Sequence, residues 1–194
     1  RLYLPPCYGQ DGRTYPTLIM LGGNIHDETI WDELGMDETA DTLIQRRDIP
    51  PLIIVMPAGG WVANNTSGGP GSYETVIVDE LRPFIAETTC ASPDPDQWAI
   101  GGLSRGGYWA LEIAFRHPQQ FGSVGGHSAA LLDQYAGPAI NPQTTGVSSD
   151  LGDLRIYLDI GRDDYVRANT IRLHDDLTAA GVDHTWVLQD GSHN

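Results

Sequence analysis

The chain has little positive charge. Eleven Lys plus Arg stand against 26 Asp plus Glu, a formal net charge of −15 over 194 residues. A surface of that sign repels phosphate backbones and anionic lipid, which argues against nucleic acid and membrane partners and weakly against highly anionic substrates. No run approaches the roughly 18 apolar residues that a membrane-spanning helix needs. The opening, RLYLPPCYGQDGR, lacks the basic, apolar and small-residue succession of a signal peptide. It reads as a strand, and the other end stops one residue after a histidine, the look of a chain trimmed at both ends; the compartment therefore stays open. Cysteine is scarce too. Cys7 and Cys90 form no CxxC or Cys/His metal spacing, and either a disulfide or two thiols fits them. Neither a metal nor a cofactor is expected. Asn64–Ser67 (NNTS) holds two overlapping glycosylation patterns, a triplet common by chance.

What is present is an alternation of short apolar runs and helical periods. YPTLIML (15–21), PLIIVMP (51–57), WAIGGL (98–103), LRIYLDI (154–160) and HTWVLQD (184–190) are rich in β-branched or aromatic residues and mostly bounded by Gly or Pro. Such runs suit strands buried on both faces of a parallel sheet. Between them, SYETVIVDELRPFIAET places Tyr73, Val76, Ile77, Leu81, Phe84 and Ile85 on one helical stripe, with Pro83 as a candidate kink. Ser104 to His117 carries a second helix ended by Pro118. A third, VRANTIRLHDDLTAAG, puts Val166, Leu173, Leu177 and Ala180 on one face and stops at Gly181; Met36 to Arg46 is a weaker candidate. Strand alternating with helix predicts an α/β fold with a mostly parallel sheet. With no internal repeat and no linker, residues 1–194 read as a single domain. The low-complexity stretch GGWVANNTSGGPGS (59–72) follows a strand end, where loops of open α/β sheets line ligand crevices.

Gly102-Leu103-Ser104-Arg105-Gly106 is a G-x-S-x-G between a buried strand and a helix. A serine on so sharp a turn takes a strained backbone angle and needs small neighbours; its hydroxyl is pushed out above the sheet, near the free N–H groups of a helix start. A hydroxyl attacks only when a base takes its proton, and the base needs an orienting acid. Five histidines follow. His117 ends its helix, His174 sits among charges on a helix and reads as solvated, His184 opens the last strand, and His127 could approach the serine. His193, in the DGSHN loop after that strand, hangs where a base belongs. Asp159 lies within a strand and reads as structural. Beyond Gly161, Asp163 and Asp164 both sit at the sheet's edge; one can orient a histidine, leaving the other as a helix N-cap.

With those residues in place, the sequence resembles the esterase D and feruloyl esterase-like family of the α/β-hydrolases over nearly its whole length. LYLPPCYGQDGRTYPTLIMLGG resembles the family's opening, a strand and an LPPGY-like turn, then a strand reaching an LHGG-like turn. DETIW is similar to the segment after that turn, SYETVIVDELRPFIAET to the helix before the serine, and GLSRGGYWALEIAFRHPQQFGSV to the elbow and its helix. The resemblance implies an α/β-hydrolase fold, mostly parallel with helices on both faces. It implies Ser104 as nucleophile, His193 as general base and, from the GxxD pattern, Asp164 as acid with Asp163 as runner-up. The oxyanion hole would use the backbone N–H groups of Arg105 and Asn24, with Trp31 near the pocket. Gly22 stands where many members have a histidine that braces the turn, and the cysteine that esterase D-type enzymes carry shortly afterwards is missing. Members also have a further strand or two before residue 1 and a helix after the histidine, which implies a trimmed chain.

These expectations describe a serine carboxylic-ester hydrolase that forms an acyl-enzyme on a small-molecule or carbohydrate-linked ester, without metal or cofactor. The same residues would serve an acyltransferase passing the acyl group to a sugar or other alcohol. A binding module that keeps the fold without the chemistry is the third reading. Loop 59–72 with Trp61, and segment 131–150, are expected to shape the pocket, while the Arg105 side chain is expected to be a surface or ion-pairing group.

Overall fold

A computed structural model describes residues 1–10 and 12–193. Seven strands form one sheet: β1 (Leu2–Tyr3), β2 (Thr17–Leu21), β3 (Ile53–Val55), β4 (Trp98–Leu103), β5 (Ser123–His127), β6 (Arg155–Gly161) and β7 (Thr185–Gln189). Their order is β1-β3-β2-β4-β5-β6-β7. β1 runs antiparallel to β3, and all the other pairs are parallel. The five apolar runs each hold one of these strands. β5 was not anticipated as a strand, because Gly125 and Gly126 occupy two of its five positions and glycine is a poor strand former.

The helices are α1 (Ile30–Glu33), α2 (Met36–Gln45), α3 (Gly60–Asn65), α4 (Tyr73–Thr75), α5 (Arg82–Thr88), α6 (Arg105–Arg116), α7 (Pro142–Ser148) and α8 (Arg167–Ala179). They cover both faces because each central strand alternates its side chains. On β2, Ile19 and Leu21 join the large cluster with Ile77, Trp109, Phe115 and Leu173, while Leu18 and Met20 meet Trp31, Ala40 and Met36 on the other side. Helix α6 sits deepest, buried from Arg105 to Phe115. Truncating a ring such as Phe115, fully buried, costs about 3–5 kcal/mol.

Pro83 does not break its helix. A π-helical turn, Val76–Leu81, joins α4 to α5 and leaves the proline near the start of the next α-helical stretch. A wider turn accommodates a residue that lacks an N–H and whose ring would strike the carbonyl four residues back. The low-complexity stretch contains α3, and segment 131–150 contains α7, started by the Asn141 side chain, which accepts the Gln143 N–H. Cys7 and Cys90 are free thiols.

Candidate active site

The parallel sheet brings the carboxyl ends of β2, β4, β5, β6 and β7 to one edge, and each delivers part of the site. Ser104 follows β4 with φ 57° and ψ −116°, a left-handed backbone that a side chain adopts only under constraint. Its backbone is pinned on both sides: its N–H donates to the His127 carbonyl at 3.0 Å, and its carbonyl accepts from Ala130 at 2.9 Å and Tyr108 at 3.0 Å. The flanking glycines are steric requirements. A Cβ on Gly102 would overlap the Gly106 carbonyl group, and one on Gly106 would overlap the Leu21 carbonyl at the end of β2.

The serine hydroxyl lies 2.8 Å from His193 Nε2. On the far side of the ring, Nδ1 is 2.9 Å from Asp164 Oδ2 and 3.0 Å from Oδ1. Asp164 is buried and also accepts the Val166 N–H at 2.8 Å, so its carboxylate is fixed by its own turn. Asp163 is exposed. It does not cap α8 either: the N-cap is Val166, and Asp164 both closes the turn and faces the histidine. Gly161 lets the two loops meet, since a Cβ there would overlap the Gly191 carbonyl. The exposed Tyr165 lays its ring over the imidazole at 4.4 Å between centroids.

Asn24 lies in the turn after β2, and a Cβ on Gly23 would approach Ser104 Cβ to 3.3 Å. The Gly23 N–H donates to His26 Nδ1 at 3.2 Å, and the His26 N–H donates to the Gly23 carbonyl at 3.1 Å. His26 thus braces the turn from three residues downstream, in place of the histidine that Gly22 displaces. A glycine-rich turn followed by a histidine within reach of its own N–H was the available signal. Among the described residues, neither the Asn24 nor the Arg105 N–H is taken by an acceptor.

The Arg105 side chain departs from expectation. It is not a surface group, and among the described residues it has no ion-pair partner: it is buried, with Nε donating to the Ala63 carbonyl at 3.2 Å and Nη2 to the Thr66 carbonyl and Ser67 Oγ. Its guanidinium carbon stands 3.8 Å from the Tyr135 ring centre, 4.6 Å from Tyr108 and 5.2 Å from Trp109. The reason is local: α3 and the residues after it fold over the start of α6 and present carbonyls there. Burial draws its pKa down from the usual range, but an arginine stays charged.

Other residues are placed differently from one another. Trp61 is exposed on α3. Trp31 is buried on α1 among Ile54, Met56 and Leu103, and it also lines an apolar cavity of about 400 Å³ with Met20, Val124, His127 and Tyr157. His127 pairs with Asp159 at 2.5 Å, which raises the histidine's pKa. His174 is not solvated among charges. It stacks on Trp186 and lies 2.7 Å from His184 Nε2. His117 meets Glu74 at 2.6 Å.

The family described as "Putative esterase" matches residues 1–184. The chain belongs to that esterase family. An esterase of Mycobacterium tuberculosis (strain H37Rv) is 37% identical over 133 residues, covering 64% of this chain and 27% of the relative. An endo-1,4-beta-xylanase/feruloyl esterase of Xylanibacter ruminicola is 34% identical over 134 residues, covering 64% of this chain and 18% of the relative. The chain therefore spans about a quarter or less of the length of these two esterase relatives. Among solved structures, a ferulic acid esterase superposes with a TM-score of 0.89 at 24% identity, covering all of this chain and 84% of the other. A ferulic acid esterase from Anaeromyces mucronatus, in complex with ferulic acid, gives 0.80 at 21% identity over 100% and 78%. The esterase family's fold, the α/β-hydrolase sheet with its flanking helices, is thus the fold of this chain.

Proposed function

We propose that this chain is a serine carboxylic-ester hydrolase in which Ser104, His193 and Asp164 act as the triad. The observation that carries the reading is the relay from Ser104 Oγ to His193 at 2.8 Å and from His193 to Asp164 at 2.9 Å. His193 Nε2 takes the hydroxyl proton as Oγ attacks the ester carbonyl, and Asp164 holds the ring and stabilises the imidazolium. The N–H groups of Arg105 and Asn24 hold the developing oxyanion; each such donor is worth about 3 kcal/mol in the transition state. The imidazolium returns its proton to the departing alcohol, leaving an acyl-enzyme on Ser104. Water, deprotonated by His193, then attacks the acyl carbonyl and releases the acid. No comparison favours transfer to a sugar or another alcohol over transfer to water.

The relatives and neighbours named for feruloyl or ferulic acid esterase activity make an aryl-acyl ester the first substrate to try. Loop 59–72 with Trp61 is the proposed pocket wall. Trp31, which lines an apolar cavity together with His127, is kept as a second candidate lining residue. The test combines fluorophosphonate labelling, mapped by peptide sequencing, with hydrolysis of short-acyl and feruloyl esters. Label on Ser104 and a loss of at least about 10³-fold in kcat in Ser104→Ala are expected. Ester hydrolysis that survives Ser104→Ala, or well-folded protein that takes no label at Ser104, would overturn the assignment.

A further inference from the structure

We infer that Asn64 is a positioning residue for the oxyanion site, and that it works together with the Arg105 side chain. The inference rests on the serine-esterase reading above. The two proposed donors belong to separate elements, Arg105 at the start of α6 and Asn24 in the turn after β2. A constellation of this kind has to be held to within about 0.5 Å to stabilise a transition state. Arg105 N–H is fixed by the buried elbow. Asn24 is exposed, beside an Ile25 that is 92% exposed, and hydrophobic packing does little to hold it.

Among the described residues, one hydrogen bond reaches Asn24 from outside its turn. Asn64 Nδ2 on α3 donates to the Asn24 carbonyl at 2.8 Å. Helix α3 is itself gripped from the elbow: Arg105 Nε and Trp109 Nε1 both donate to the Ala63 carbonyl, and Arg105 Nη2 donates to Thr66 and Ser67 just beyond it. The connections close a ring. It runs from the Arg105 backbone through its own guanidinium to α3, through Asn64 to Asn24, and back across the site to the Arg105 N–H. The His26 brace sets the shape of the Asn24 turn, while the ring sets its distance from the elbow. The residue that supplies one donor thereby spaces the other.

The experiment compares wild type, Asn64→Ala, Asn64→Asp, Arg105→Lys and the double variant Asn64→Ala/Arg105→Lys on a p-nitrophenyl ester. Asn64 is exposed, so its substitution leaves the melting temperature close to that of wild type. Asn64→Ala is expected to lower kcat about ten-fold, the scale of one net hydrogen bond, with KM moving less than about two-fold. Asn64→Asp, which cannot donate and sets a carboxylate against a carbonyl, falls at least as far. Affinity for phenylboronic acid, which forms a tetrahedral adduct on the serine, falls in parallel with kcat. The double variant is no slower than Arg105→Lys alone, because both act through α3. An unchanged kcat in both Asn64 variants, a loss confined to KM, or fully additive losses in the double variant would overturn the inference while leaving the esterase reading intact. Hydrolysis that does not depend on Ser104 in the wild type overturns both.

Discussion

Helix α6 carries a buried or half-buried arginine at each end, and the two are treated oppositely. Arg116, in the last turn, meets two acidic side chains, Glu74 at 2.6 Å and Glu112 at 3.0 Å. Arg105, in the first turn, meets carbonyls, a hydroxyl and three aromatic rings among the described residues. At the C-terminal end a cation complements the helix dipole, and the Glu74 carboxylate cancels the excess charge. In the proposed mechanism the requirement beside the serine is reversed, since an anion would develop there. A carboxylate next to Arg105 would neutralise the guanidinium and oppose that charge, whereas carbonyl dipoles and ring faces hold the cation without an opposing full charge.

The cluster at the far end also decides which carboxyl carries a proton. Burial opposes ionisation of Glu74, but the hydrogen bond from His117, the Gly69 N–H and the Arg116 charge carry its pKa below the ordinary value. Glu112 is fully buried and next to that charge. Burial first, and then Glu74, push its pKa up to about 9. Arg116 therefore serves chiefly Glu74, and Glu112 takes the proton at neutral pH.

Three substitutions test the contrast between the two ends. Arg116→Met strands the Glu74 carboxylate and is expected to destabilise by about 3 kcal/mol; urea unfolding reads this, and kcat of the folded variant stays near wild type. A large kcat loss with little loss of stability would show that the far end also serves the site. Arg105→Met is expected to do the reverse, lowering kcat by about 30-fold, near 2 kcal/mol, with a smaller loss of stability. If it kept full activity, the neutral cage would be simple packing. Glu112→Gln gives the smallest effect, a changed pH slope. Wild-type Glu112 keeps a proton on folding that the unfolded chain gives up above its ordinary pKa, so stability falls as pH rises towards about 9. The Gln variant cannot lose that proton. Its stability measured near pH 6 and near pH 9 should differ by on the order of 2 kcal/mol less than in wild type; parallel slopes would mean that Glu112 is already ionised.

The parts of this molecule that could be read in advance are those encoded locally. WAIGGL followed by S-R-G-G fixes a strand, a turn and a helix within ten residues, and β4 and α6 begin and end close to where that reading puts them. The loop after β7 likewise offers His193, and the family resemblance implies Asp164 with Asp163 as runner-up; the fold brings His193 and Asp164 together across 29 positions of sequence. What was missed depends on segments that meet only in three dimensions. SVGGH became β5 because its neighbours β4 and β6 supply the ladder that its glycines do not favour. Arg105 looked like a surface cation because nothing in GLSRGG indicates that Ala63 and Thr66 fold over it.

The contact at Gly161 has a consequence for re-engineering. The backbone after β6 and the backbone before His193 touch where that glycine has no side chain, so the segments bearing Asp164 and His193 form one mechanical part. Grafting the His193 loop from a relative, or lengthening it to admit a bulkier ester, would move its anchor against the Asp164 turn and alter the alignment of both groups. The unit to exchange between relatives is therefore the pair of loops, whereas α3 meets the elbow through hydrogen bonds to its own carbonyls, so that its residues other than Asn64 can be varied one by one.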